Sequence, residues 1–378
     1  MTLSGSGLAM PLLDAALRGS VLILLAWGAT RLMRRASAAS RHMVWAAALT
    51  AVVLVPLVGT LVPRWGVLPL PRIAAPAPET APSSELPPPG STAEPFIVSA
   101  ASAAPEVASP AAEAATASPP AEGLAVRPGL AADWQVLLLL TWLAGAGLLT
   151  LRLGYGLTRV WWLERRATEI TDDEWVRAVD ALTRRLRVGR IVTLLRGPGA
   201  TVPMTWGLIR PVVLLPEEAD AWDDERRVAV LAHELAHVRR WDALTQWAAH
   251  LALALFWFNP LVWIACRRMR EEREHACDDA VLALGTQPTR YAGHLLEIVR
   301  ALGTAEGPAA ALAMARRSQF EGRLLAILDR AAPRGGVSRR AVLATLAVTA
   351  AVTVPLAAVG AAPPAGHAAE ATEPISED

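Results

Sequence analysis

Residues 248–266, AAHLALALFWFNPLVWIAC, form an apolar run long enough to be mistaken for a membrane crossing, and their reading decides the fold. Just upstream lies His233-Glu234-Leu235-Ala236-His237; just downstream lies Arg273-Glu274-His275-Ala276-Cys277-Asp278. Histidines four apart on a helix share a face and can reach one metal ion. Glu234, beside the first of them, is placed to take a proton from an attacking water. A catalytic zinc needs a third protein ligand. If 248–266 crossed once, Glu274 would sit about 30 Å from the histidines, beyond the hydrocarbon core. The run is therefore predicted to dip into the membrane, or lie against it, and return to the same side. Asn259-Pro260 supplies the break. Arg239 and Arg240 before the run and Arg267, Arg268 and Arg270 after it agree, and mark that side as cytoplasmic.

The motif reads as helical. Asp223-Asp224-Glu225 gives an acidic start, and Val228, Leu231, Leu235 and Val238 recur at helical spacing. A third histidine six residues past the motif is excluded, because position 243 is Ala. Asp242, five residues past His237, lies well over about 100° around the helix and is expected to point away from the metal. Glu274 is the better third ligand and Glu271 its rival. Asp278, one turn beyond Glu274, could orient a ligand imidazole through its other nitrogen. The bland reading of this charged stretch is a solvated helix face with i,i+4 pairs. His42, His250, His275, His294 and His367 have no such context and are expected to be structural.

Around this centre the chain is built for lipid. Of 378 residues 53% are hydrophobic, and mean hydropathy is +0.34. The net charge of +1 gives no electrostatic case for nucleic-acid binding. Every basic side chain is Arg, and two cysteines are too few for a disulfide framework. Residues 1–62 read as a two-span hairpin with arginines at its cytoplasmic turn and Asp14 and Arg18 one helical turn apart inside the first span. Residues 63–130 are rich in Pro, Ala and Ser and are expected to be a disordered extracytoplasmic loop. Residues 131–155 are a third span. Residues 156–337 are the segment mixed enough to fold as a domain, with the returning segment at 246–266. Within it a helix is predicted over 171–187 and strands over 191–195 and 212–215. The strand at 212–215 is a candidate edge for pairing an extended substrate. Residues 338–362 are a fourth span, and 363–378 a short acidic tail outside. The expected fold is thus mainly α, a multi-pass membrane protein with a cytoplasmic zincin-like α+β metallopeptidase domain, four spans and a re-entrant or interfacial segment.

His-Glu-Leu-Ala-His-Val-Arg-Arg-Trp-Asp at 233–242, Phe-Trp-Phe-Asn-Pro at 256–260, Arg-Glu-His-Ala-Cys-Asp-Asp at 273–279 and Trp-Gly-Leu-Ile-Arg-Pro-Val-Val-Leu-Leu-Pro at 206–216 together resemble the BlaR/MecR-type membrane metallopeptidases. The resemblance spans roughly residues 10–62 and 131–360. It implies a gluzincin-like site, with Zn2+ on His233, His237 and Glu274 and with Glu234 as general base. It also implies that Arg240 and Asp242 brace the helix and that Asp278 supports a ligand. It places the protein in a bacterial inner membrane with the site facing the cytoplasm. The implied partners are lipid, a protein substrate such as a DNA-binding repressor, and a separate sensor or a second copy; direct nucleic-acid binding is not implied. Residues 363–378 leave no room for the penicillin-binding sensor domain of that family's best-known members, so antibiotic sensing by this chain is not expected. Competing readings are a membrane-protein quality-control protease and a non-catalytic signalling scaffold.

Overall fold

A computed structural model describes residues 6–62, 65–68, 129–198, 202–303 and 320–361, which are mainly helical. Helix α1 (Ser6–Leu32) and helix α2 (Ala38–Leu61) form a packed hairpin, with Ser37 capping α2 through a hydrogen bond from the Ser40 backbone. Helix α2 is the hub of the apolar layer. It carries Trp45, Leu49, Val52 and Val55, all buried, and small residues such as Ala48 and Ala51 let its neighbours come close. Among the described residues, four helical stretches are long and apolar enough to cross a membrane: Pro11–Leu32, Ala38–Leu61, Val136–Arg166 and Arg339–Ala358.

The run at 248–266 is not one helix. Helix α6 (Asp242–Leu255) stops, the chain turns, and helix α7 (Pro260–Ala283) runs on past Glu274. Pro260 occupies the first turn of α7, where its missing N–H costs nothing. Asn259 caps that helix by accepting from Leu261 N at 3.0 Å and donates to Ser20 Oγ on α1 at 2.9 Å. The turn is thereby fixed against α1, and Phe256, Val262, Ala265 and Met269 join the same core as α1 and α2.

Helix α3 (Gly129–Arg166) is unbroken over 38 residues, so the predicted boundary at 155 falls inside a helix. At about 1.5 Å per residue it is nearly twice as long as a hydrocarbon core is thick. Trp142 Nε1 donates to Leu255 O at 2.8 Å, and Trp257 Nε1 donates back to Trp142 O at 3.2 Å. Trp257 lies directly over Gly145, where a Cβ would fall 2.2 Å from its ring. Glycine is required there by close approach.

A second core carries the mixed domain. Helix α4 (Asp173–Leu186) follows the predicted pattern, burying Trp175, Val179, Leu182 and Leu186. The sheet contains β2 (Thr168–Glu169), β3 (Thr193–Arg196), β4 (Met204–Trp206) and β5 (Val212–Leu215) in the order β2-β3-β5-β4. The strand expected at 191–195 is shifted towards Arg196, leaving Ile191 exposed. Strand β5 has the predicted bounds but is not an edge. It pairs with β3 in parallel and with β4 antiparallel, and all four of its residues are buried. Such a continuous apolar run, without alternation, is the mark of a strand covered on both faces. The edge beside it is β4, which the sequence reading missed because three residues are too few to show a period.

Helix α5 (Asp224–Arg240) packs on α4 and α7. Helix α8 (Pro288–Gly303), a helix over residues 320–328 (α9) and helix α10 (Arg339–Ala358) complete the helices among the described residues.

Residues 65–68, inside the stretch expected to be disordered, form β1 (Trp65–Leu68). It pairs in parallel with β6 (Val359–Ala361), which lies within the expected fourth span. Residues 63–64 and 69–128 and the tail 363–378 lie outside the described residues, while 129–130 already belong to α3. Beside this pairing, Arg18 donates to Ala357 O at 2.7 Å and Val359 O at 2.6 Å while bridging Asp14 at 2.6 Å. Arg18, held by Asp14, thus satisfies carbonyls that the end of α10 leaves open.

Candidate metal centre

The site assembles on two helices. Asp223 caps α5 by accepting from Arg226 N at 2.7 Å, and Leu231 and Leu235 anchor its inner face at full burial. His233 and His237 then project together, their rings 4.9 Å apart and nearly perpendicular at 84°. From α7, Glu274 brings Oε2 to 3.6 Å from His233 Nε2. Donors of His233, His237 and Glu274 all lie within 4.8 Å of one another. Two donors about 2.1 Å from a tetrahedral zinc stand about 3.4 Å apart, so the set would draw in from separations of up to 4.8 Å to hold such an ion. Glu271, the rival, is turned away and bonded to Arg267 at 2.9 Å and Arg268 at 3.0 Å.

Both imidazoles have their second nitrogen engaged. His237 Nδ1 lies 2.8 Å from Asp242 Oδ2. His233 Nδ1 lies 3.2 Å from Asp278 Oδ1 and 3.0 Å from the Tyr291 hydroxyl, which itself donates to Asp278 at 2.8 Å. A proton held at Nδ1 by a carboxylate leaves the Nε2 lone pair for a metal. The donor set and its surroundings fit zinc.

Asp242 reaches His237 because the helix does not continue, contrary to the expectation that it points away. Trp241 takes a left-handed conformation with φ 58°, and α6 starts at once with Asp242, folding that carboxylate back over the end of α5. A non-glycine residue in that region costs about 1 kcal/mol. Arg190 stacks on the Trp241 ring at 3.9 Å, and Arg240 Nε lies 3.3 Å from Asp242, both of which favour the break. Cys277 Sγ sits 3.3 Å from His237 Nδ1 and 3.5 Å from Asp242 Oδ2. Burial, with Asp242 beside it, pushes that thiol well above its usual range, so it packs as a neutral donor.

The charges are strongly coupled. Burial alone would hold His233 down, but its bonds to Asp278 and Glu274 outweigh that and raise it to about 9. Burial would raise Asp242, yet the bond to His237 and the Arg240 charge bring it to about 2. Glu274 likewise lies well below the carboxylate range despite burial, through His233, His237, Arg273 and Arg323.

Glu234 is buried on the same turn, and Thr205 Oγ1 on β4 donates to its Oε2 at 2.5 Å. The motif glutamate therefore faces the sheet edge, not the ligand helix. Thr205, Tyr291 and Arg323 were not anticipated, because each comes from an element remote in sequence from the motif. The stretch 206–216 was the nearest signal for the first of them. His250 bonds Gln246 at 3.0 Å, and His42 is buried against Thr245, as structural histidines would be. His367 lies outside the described residues.

Comparison with known proteins converges on one group. Residues 10–327 match the family described as BlaR1 peptidase M56. The regulatory protein BlaR1 of Bacillus licheniformis is 30% identical over 141 residues, 37% of this chain and 24% of that protein. The methicillin resistance mecR1 proteins of Staphylococcus aureus and Staphylococcus epidermidis are 30% identical over 83 residues, 22% of this chain and 14% of theirs. These matches cover about a quarter of the relatives' length or less.

Proposed function

From the premise that this chain belongs to the BlaR1 peptidase M56 family, we propose that it is a membrane-embedded zinc endopeptidase acting in signal transduction. His233, His237 and Glu274 hold the metal, and Glu234 is the general base. The observation that carries this reading is the pairing of each imidazole Nδ1 with a carboxylate, at 2.8 Å for His237 and 3.2 Å for His233, while His233 Nε2 faces Glu274. When bound, zinc supplies the Lewis acidity that polarises a peptide carbonyl and makes water nucleophilic near neutral pH. Glu234 accepts the water proton as the oxygen–carbon bond forms. It then delivers that proton to the amine nitrogen as the carbon–nitrogen bond breaks.

Strand β4 is the place for an extended substrate. It pairs on one side with β5, and the Thr205 side chain meets Glu234, so a peptide added along its other side, where no strand among the described residues pairs, would run past the base. The sheet, the motif and the arginines around α6 and α7 favour a site at the cytoplasmic boundary, with the α6–α7 turn dipping into the lipid. The substrate we favour is a cytoplasmic or membrane-proximal protein, a transcriptional repressor first of all, by the regulatory role named for BlaR1.

The test is Glu234→Gln in membranes. Zinc is retained and cleavage falls by at least about 1,000-fold if Glu234 is the base. Unchanged turnover overturns the mechanism. Substrate captured by the inactive variant separates a single repressor from many misfolded membrane proteins.

A further inference from the structure

Asp278 is buried at the foot of the metal centre, with 3% of its side chain exposed, and a cation from outside α5–α8 meets it there. Arg323, on α9, donates from Nε to Asp278 Oδ2 at 2.9 Å and from Nη2 to Oδ1 at 2.7 Å. This is the parallel two-bond fork that a guanidinium makes with a carboxylate. The remaining terminal nitrogen, Nη1, lies 3.5 Å from Glu274 Oε2, the oxygen that faces His233. One planar group thus spans the carboxylate behind His233 and the carboxylate in front of it.

Further contacts seat α9. Ile327 is fully buried in the same core as Leu231, Val281 and Tyr291. Arg334, beyond the helix, donates to Ile327 O at 2.7 Å and Asp329 O at 2.9 Å, closing the α9 C-terminus. Its Nε also lies 3.7 Å from Asp279, next to Asp278 on α7. Ser338 then caps α10, two residues past the Gly335-Gly336 pair. The element that reaches the metal centre is therefore the one that leads directly into the last apolar helix.

We propose that Arg323 is a positioning residue of the peptidase site. It locks the orientation of Asp278, and through it the Nδ1-protonated form of His233, and it sets Glu274 opposite His233 Nε2. The inference rests on the zinc reading above and adds that the site is incomplete without α9. An ammonium cannot replace the fork, because it offers one point charge where the geometry uses three donors of a rigid plane.

The experiment compares the parent with Arg323→Gln, Arg323→Lys and Glu234→Gln in detergent, all as full chains. Zinc affinity is read by competition with a chromophoric chelator, fold by circular dichroism, and kcat and KM on the captured substrate or a surrogate peptide. The expected result is a 10- to 100-fold loss of zinc affinity in Arg323→Gln, the range typical for groups that orient ligands. Helical content stays parental, kcat falls at unchanged KM with zinc in excess, and Arg323→Lys recovers only part of the affinity. Glu234→Gln keeps parental zinc affinity and so separates loss of the base from loss of the metal. Parental zinc affinity and kcat in a folded Arg323→Gln protein overturn the inference while leaving the zinc reading intact. A parent that binds no zinc overturns the zinc reading itself and the inference with it. Should Arg323→Gln fail to fold, Arg323→Lys decides: weakened zinc binding supports the inference, and parental binding overturns it.

Discussion

Thr205 Oγ1 donates to Glu234 Oε2 at 2.5 Å, so the edge strand of the sheet holds the motif glutamate in place. The pair joins two elements that the chain separates by the whole of β5 and its flanking turns. It orients the carboxylate and leaves its other oxygen for a proton. Replacing Thr205 by Val keeps the shape and removes the donor. A hydrogen bond to a charged group is worth about 1.5–3 kcal/mol. Turnover is expected to fall about 10- to 100-fold with zinc content unchanged, measured as kcat beside metal analysis of the same sample. Parental kcat would show that Glu234 needs no such support.

Asp242→Asn tests the other helix end. The amide cannot hold the Nδ1 proton as the carboxylate does, and it leaves Arg240 without its partner at 3.3 Å. Zinc affinity should drop about 10- to 100-fold. Asp242→Ala should cost more, since it also opens space beneath His237. Chelator competition on both variants checks the order.

Zinc uptake should depend on pH in a direction set by His233. In the metal-free protein its imidazole is raised to about 9, so at neutral pH it carries the proton that zinc must displace. Apparent affinity is therefore expected to tighten by up to about tenfold per pH unit between pH 7 and 9 and to flatten above that. The same shift acts on stability with the opposite slope. The folded value lies above the ordinary 6.5, so its contribution is complete below about 6.5 and is lost as pH rises through 9. Thermal melts of the metal-free protein between pH 6 and 9.5 should show a decline that added zinc suppresses.

Much of this was legible in the chain. The decisive inference, that 248–266 must turn back, needed only the reach of one metal ion and Asn259-Pro260, and the α6–α7 turn falls there. Helix α4 and strand β5 followed from periodicity and from an unbroken apolar run. What could not be read has physical causes. Trp241 takes a conformation that tryptophan disfavours, and one of the contacts that favour it, Arg190 stacked on its ring, comes from a distant loop. Strand β4 is too short for a period, so the edge of the sheet was assigned one strand too far in. Tyr291 and Arg323 carry no local motif, because their roles exist only where α8 and α9 meet α7.

Gly145 tests how α3 is held. Any side chain there meets Trp257, and overpacking of this kind costs about 1–3 kcal/mol. Gly145→Leu is expected to loosen α3 from the α6–α7 turn and lower the detergent-solubilised melting temperature by several degrees. Gly147→Leu, at a position where a Cβ meets nothing within 4 Å, should leave it nearly unchanged. Equal effects would contradict the docking described.

The convergence of His233, His237 and Glu274 on one ion is tested most directly by zinc stoichiometry. Metal analysis of purified full-length protein should give one zinc per chain, falling to near zero in His237→Ala and Glu274→Ala and holding at one in Glu271→Ala. A parent without zinc, or a Glu274→Ala protein that keeps it with undiminished affinity, would contradict the account.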